Sequence, residues 1–153
     1  MNDLLITSPS FEDGGTCPKK HTGKYGISPA FHLEHLNINC KSLAIIMNDC
    51  DVLFTKEKAH WIIWNLPPIQ DIPEAIPAGA IVSELDHAFQ GVAFGKNRYK
   101  GPNTLFKIKP HCYVFQIYAL DTKLDLLFSA EKTHLLKAMK GHILQQVSIS
   151  CIY

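Results

Sequence analysis

Two uninterrupted apolar runs stand near the middle of the chain: SLAIIMND, Ser42 to Asp49, and HWIIWNL, His60 to Leu66. Each is short and rich in isoleucine or aromatic residues, so both read as strands covered on two faces rather than as helices. A third β-rich run, CYVFQIYAL, spans Cys112 to Leu120, and LDTKLDL after it reads as a turn. The period then changes in SAEKTHLLKAMKG. Ser129 is placed to cap a helix, Glu131 falls in its first turn, Leu135, Leu136 and Met139 form an apolar face, and Gly141 ends it. Beyond it Val147, Ile149, Cys151 and Tyr153 alternate with Gln146, Ser148 and Ser150, the period of a half-buried strand.

The remaining segments are punctuation. GG, CPKK, TGKYG and SPAF break the first forty residues into turns joining short strands. Proline at positions 67, 68, 73 and 77 forbids a regular helix or a central strand there, so PPIQDIPEAIPAG is expected to be an irregular surface connection. The pattern predicts a mainly β fold with one C-terminal helix, in a single domain over residues 1–153.

Charge and cysteines narrow the function. A formal net charge of +1 leaves no global field to gather nucleic acid or a membrane surface, so a charged ligand must be held locally. The first residues, MNDLLITSPSFEDGG, resemble no secretory signal, and no apolar run is long enough to span a bilayer. Cys17, Cys40, Cys50, Cys112 and Cys151 are odd in number and contain no C-x-x-C pair. That argues against a disulfide framework and a zinc knuckle, and a reducing cytoplasm is the expected home.

If the run ending at Asp49 pairs antiparallel with the run starting at His60, those two residues meet at one edge of a sheet. His111 and Tyr113 open the third run and share a face. With its start at the same end, a carboxylate, two imidazoles and a phenol converge. A carboxylate beside an imidazole favours the protonated ring, and His111, the Tyr113 hydroxyl and backbone N–H groups near Gly101 add donors. That is the inventory a phosphate oxygen needs.

At these residues the chain resembles the phosphatidylethanolamine-binding protein family, in particular its bacterial Raf kinase inhibitor-like members. The likeness runs from SPSFEDGGTCPKKHTGKYGISPAF to the terminal ISCIY and is strongest in KSLAIIMNDCD, HWIIWNLP, HCYVFQIYALD and LLKAMKGHIL. It implies a β-sandwich of antiparallel-rich sheets with a C-terminal helix, few other short helices, and a small pocket for phosphate or phosphorylated head groups. Carried over by position, Asp49 and Asp51 match the aspartates of the family's D-P-D-x-P motif. His60 matches the pocket histidine, Gly101 and Pro102 the start of its G-P-x-x-P segment, and His111 and Tyr113 its H-x-Y. His21 stands where relatives commonly have tyrosine, and with Asp51 and Trp61 is a candidate for the pocket wall. Trp64 is expected to pack in the core or the pocket wall.

Departures bear on the pocket. Cys50 and Leu53 replace both prolines of D-P-D-x-P, which relaxes a rigid turn. Leu105, Phe106, Lys107, Ile108 and Lys109 stand where the family's loop has a later proline and glycine, and they offer either apolar closure or a lysine for the anion. The resulting expectation is a non-catalytic protein binding a small phosphorylated or carboxylated ligand, with regulation of a partner protein as one mode of action. The alternative is an interaction module with a degenerate pocket. A metal site built from Asp49, His60 and His111 lacks any supporting spacing, and no cofactor is expected. A Cys50 nucleophile is disfavoured by the two aspartates flanking it in sequence. The resemblance further implies a homodimer, while the near-neutral charge and the lack of a long apolar run lead to the expectation of neither nucleic-acid binding nor stable membrane insertion.

Overall fold

The computed structural model describes residues 2–50, 59–103 and 109–153. The chain order is β1 (Leu5–Thr7), β2 (Gly15–Thr16), β3 (Phe31–Glu34), β4 (Ser42–Asp49), β5 (Trp61–Leu66), β6 (Asp71–Ile72), β7 (Ile81–Val82), β8 (Ala88–Gln90), β9 (Cys112–Leu120), α1 (Lys132–Met139) and β10 (Ile143–Ile152). Seven strands form one sheet in the order β2-β10-β9-β4-β5-β8-β7, and three form another in the order β1-β3-β6. Among the described residues, all pairings of these strands are antiparallel except that of β2 with β10.

The central strands are apolar on both faces because each face has its own partner. Leu43, Ile45 and Met47 of β4, with Trp61 and Ile63 of β5, meet Phe31, Leu33 and Ile72 of the small sheet. Ala44, Ile46, Ile62 and Trp64 point the other way, onto Leu135 and Met139 of α1. Parity along the strand therefore assigns each residue to a layer: small sheet, large sheet or helix. The proline-rich connection contributes only the two-residue edge strand β6, where a missing N–H costs no ladder bond.

Two expectations are corrected. The helix starts at Lys132 with Glu131 as its cap, not Ser129, and the Glu131 N–H donates to Nδ1 of His134 at 3.0 Å. The preceding backbone is committed elsewhere: the Ala130 carbonyl accepts the Val92 N–H at 2.8 Å. On the helix Leu135 and Met139 are buried, whereas Leu136 is 40% exposed. The second correction concerns sulfur: Cys17 and Cys151, separated by 134 positions, form a disulfide. The parallel pairing of β2 with β10 sets Thr16 beside Ile152, and this brings the two cysteines together. Only tertiary structure creates that proximity.

Candidate anion site at the strand ends

The register carries Asp49 directly opposite Tyr113 at the end of the large sheet. His60 precedes β5 on the other side of β4, its N–H donating to the Met47 carbonyl at 2.8 Å. His111 precedes β9 and exchanges backbone hydrogen bonds with Tyr153 at 2.9 and 3.0 Å, which fixes its position against the end of β10. The four residues expected to converge are thus placed at one end of three adjacent strands.

Their side chains make specific contacts. The Asp49 carboxylate lies 2.7 Å from Nδ1 of His111, with both side chains largely buried. Tyr113 is buried, and its ring meets His60 edge-on at 5.3 Å and His111 at 6.4 Å between centroids. Nδ1 of His60 faces the Lys100 carbonyl at 3.0 Å, so the ring proton sits on Nδ1. The Lys100 N–H in turn donates to the His60 carbonyl at 3.1 Å. This two-way link pins the segment leading into Gly101 and Pro102.

Gly101 is required by close approach. A Cβ there would lie 2.5 Å from the His21 carbonyl oxygen and 2.9 Å from that of Gly23. Pro102 holds the same contact from its own carbonyl, which accepts the Gly23 N–H at 2.7 Å. His21 itself is buried, with Nε2 2.9 Å from the Ser10 hydroxyl and Nδ1 2.8 Å from the Ile27 carbonyl. Burial, followed by the neighbouring Lys20, lowers its pKa below the ordinary value of 6.5, against the raising influence of the Ile27 bond and Glu74. Its backbone lies against Gly101 while its ring is spent inside the fold. Trp61 is likewise fully buried, its indole N–H donating to Gln90 at 2.8 Å. Asp51, Leu53 and the segment Leu105 to Ile108 lie outside the described residues.

Several features beside the site were not singled out from sequence. A cavity of about 340 Å³ lies against Gly101, lined by Phe94, Tyr99, Lys24, Lys96, Arg98 and Lys100 among others. Phe94 has φ 50°, meets His60 edge-on at 5.1 Å, and carries the Lys100 ammonium 3.4 Å over its ring. Burial lowers the Lys100 pKa. A non-glycine residue in the left-handed region next to a candidate site stores backbone strain of the kind found at ligand clamps. The basic run KNRYK, residues 96–100, was the only sequence sign of this wall.

Comparison with known proteins decides the family. The family model described as phosphatidylethanolamine-binding protein matches residues 7–153. The chain belongs to this phosphatidylethanolamine-binding protein family. Among relatives, a UPF0098 protein of Pyrococcus horikoshii is 39% identical over 97% of this chain and 76% of that protein. A Chlamydia trachomatis structure described as a homolog of phosphatidylethanolamine-binding proteins has a TM-score of 0.83 at 31% identity, covering 100% of this chain and 98% of that one. Escherichia coli YbcL, described as a member of the mammalian family, has a TM-score of 0.84 at 22% identity over 99% of this chain and 98% of its own, a likeness of fold. The mainly β fold expected from the family resemblance is therefore the observed one. No helix among the described residues is long and apolar enough to cross a membrane, and no cluster of three metal-binding side chains occurs among them.

Proposed function

We propose that this chain binds, without transforming it, a small ligand bearing a phosphate or carboxylate group at the end of the large sheet. The observation that carries the reading is the convergence of Asp49, His60, His111 and Tyr113 from three strands, with Gly101 and Pro102 held beside them by the His60–Lys100 link. The Asp49 carboxylate, 2.7 Å from Nδ1, fixes the His111 ring in place, and the imidazoles, the phenol and nearby backbone N–H groups supply donors. The name of the family fits a phosphorylated head group as the anion. Lys24, Lys96, Arg98 and Lys100 around the adjoining cavity add positive potential without making the whole protein basic.

In this reading the protein acts by holding its ligand or by regulating a partner, as a homodimer; the Cys17–Cys151 disulfide removes the ground for expecting a reducing cytoplasm. Sedimentation tests the dimer, since a single species near 17.2 kDa would remove it. The site is tested by titrating inorganic phosphate and phosphorylethanolamine while recording amide chemical shifts, with His60→Ala in parallel. Saturable shifts at Asp49, Gly101 and His111 that vanish in the variant are expected. A folded wild type that gives no shifts at millimolar ligand would overturn the reading and leave an interaction module with a degenerate pocket.

A further inference from the structure

The sheet end that carries the anion site on one face carries two cysteines on the other. Asp49 pairs with Tyr113, so the next opposed position is Cys50 against Cys112, and the Cys50 N–H donates to the Cys112 carbonyl at 2.9 Å. Parity puts both side chains on the face of Ala44 and Ile46, where the helix packs, and away from the face of Met47 and Phe115. Directly opposed residues of antiparallel strands have Cα atoms about 4.5–5.5 Å apart, inside the range of about 4.4–6.8 Å that a disulfide spans.

The chemical setting favours reaction. Cys50 is exposed, Cys112 is half-buried, and neither belongs to the Cys17–Cys151 disulfide. Lys132, the first residue of α1, extends over this face and donates from Nζ to the Asn48 side chain at 2.9 Å. Asn48 precedes Cys50 by two positions on the same strand face; burial lowers the Lys132 pKa, and the proximity of Cys50 opposes that lowering. Of the two aspartates that flank Cys50 in sequence, Asp49 is turned to His111 on the far side of the sheet, and Asp51 lies outside the described residues. A nearby cation and partial exposure are the surroundings in which a thiolate is stabilised and accessible.

We propose that Cys50 and Cys112 form a reversible thiol–disulfide site, oxidised by small-molecule disulfides of the glutathione class. The Cys50 thiolate attacks one sulfur of the small disulfide, that S–S bond breaks, and one small thiolate leaves. The Cys112 thiolate then attacks the Cys50 sulfur of the mixed disulfide and expels the second small thiolate. The products are one protein disulfide and two reduced small thiols, with two electrons passed from protein to oxidant. This site does not depend on the anion reading and stands or falls separately.

The test is equilibration of the full chain in buffers of graded reduced-to-oxidised glutathione ratio, followed by alkylation, digestion without reduction and mass spectrometry. The expected product is a Cys50–Cys112 cross-linked peptide that appears with oxidation and reverts with excess reduced glutathione, while buried Cys40 stays a thiol. In Cys112→Ser the reaction is expected to stop with one glutathione on Cys50. Alkylation of both cysteines at every ratio, stable separate glutathionylation of each in the wild type, or a disulfide-linked dimer through Cys50 would each overturn the proposal.

Discussion

The Asp49 carboxylate and the His111 imidazole, 62 positions apart, are hydrogen-bonded at 2.7 Å across neighbouring strand ends. A largely buried, charge-assisted bond of this kind contributes about 1.5–3 kcal/mol, because removing one partner strands the other. Asp49→Ala and His111→Ala are each expected to lower stability in urea denaturation by about that amount. The double variant should lose less than the sum, by about 1 kcal/mol. Strict additivity would show that the pair contributes nothing as a pair.

Gly101 leaves no room for a side chain. Its added Cβ would meet backbone, the His21 carbonyl at 2.5 Å, which cannot rotate away. Gly101→Ala is expected to destabilise the fold by about 1–3 kcal/mol. It should also shift the amide resonances of His60 and Lys100, whose mutual hydrogen bonds depend on that packing. Unchanged stability and spectra would show that the two segments separate at no cost.

His21 introduces a pH dependence of known sign. Burial leads the causes that hold its folded pKa below 6.5, so the unfolded chain binds its proton more readily. Its contribution is complete above 6.5 and is lost as pH falls through that value toward the folded pKa. His21→Gln is expected to flatten the stability curve just below pH 6.5 relative to wild type, read by chemical denaturation between about pH 5 and 7.5. Parallel curves over that interval would contradict the assignment.

The two tryptophans separate packing from hydrogen bonding. Trp61 donates to Gln90 at 2.8 Å, whereas the buried Nε1 of Trp64 has no hydrogen-bond partner among the described residues. Trp61→Phe leaves a buried amide acceptor unsatisfied, while Trp64→Phe removes an already unsatisfied donor. The first is expected to cost about 1–2 kcal/mol more than the second in denaturation. Equal costs would mean that volume alone governs both sites.

The disulfide encloses a long loop. Removing it with Cys17→Ser plus Cys151→Ser is expected to cost about 2–5 kcal/mol, through the greater freedom of the unfolded chain. A reducing agent should lower the thermal midpoint of the wild type and leave that of the double variant in place. Identical midpoints for wild type in both conditions would show that the bond is dispensable.

How much of this could be read in advance depends on how local the cause is. The bounds of β4 and β9 are those of the apolar runs, because strands buried on one or two faces write their period directly into the sequence. The meeting of strand ends followed from antiparallel pairing alone. Which imidazole offers Nδ1 to Asp49 did not, since the β4–β9 register and the β10 contact to His111 decide it. Phe94 and Lys100 reach His60 through a turn in which Phe94 takes a positive φ, a conformation its residue type does not announce. The helix start moved because Ala130 is claimed by a neighbouring strand connection. In the same way, Cys17 and Cys151 become neighbours only after the sheet is assembled.

That last bond makes the backbone from Cys17 to Cys151 a covalent ring. A protease that makes one cut in a loop within it opens the ring without releasing a fragment, so the two pieces of the nicked molecule stay covalently joined until a reductant arrives. Cleavage of the chain and loss of the protein are thereby made two separate events, the second under redox control.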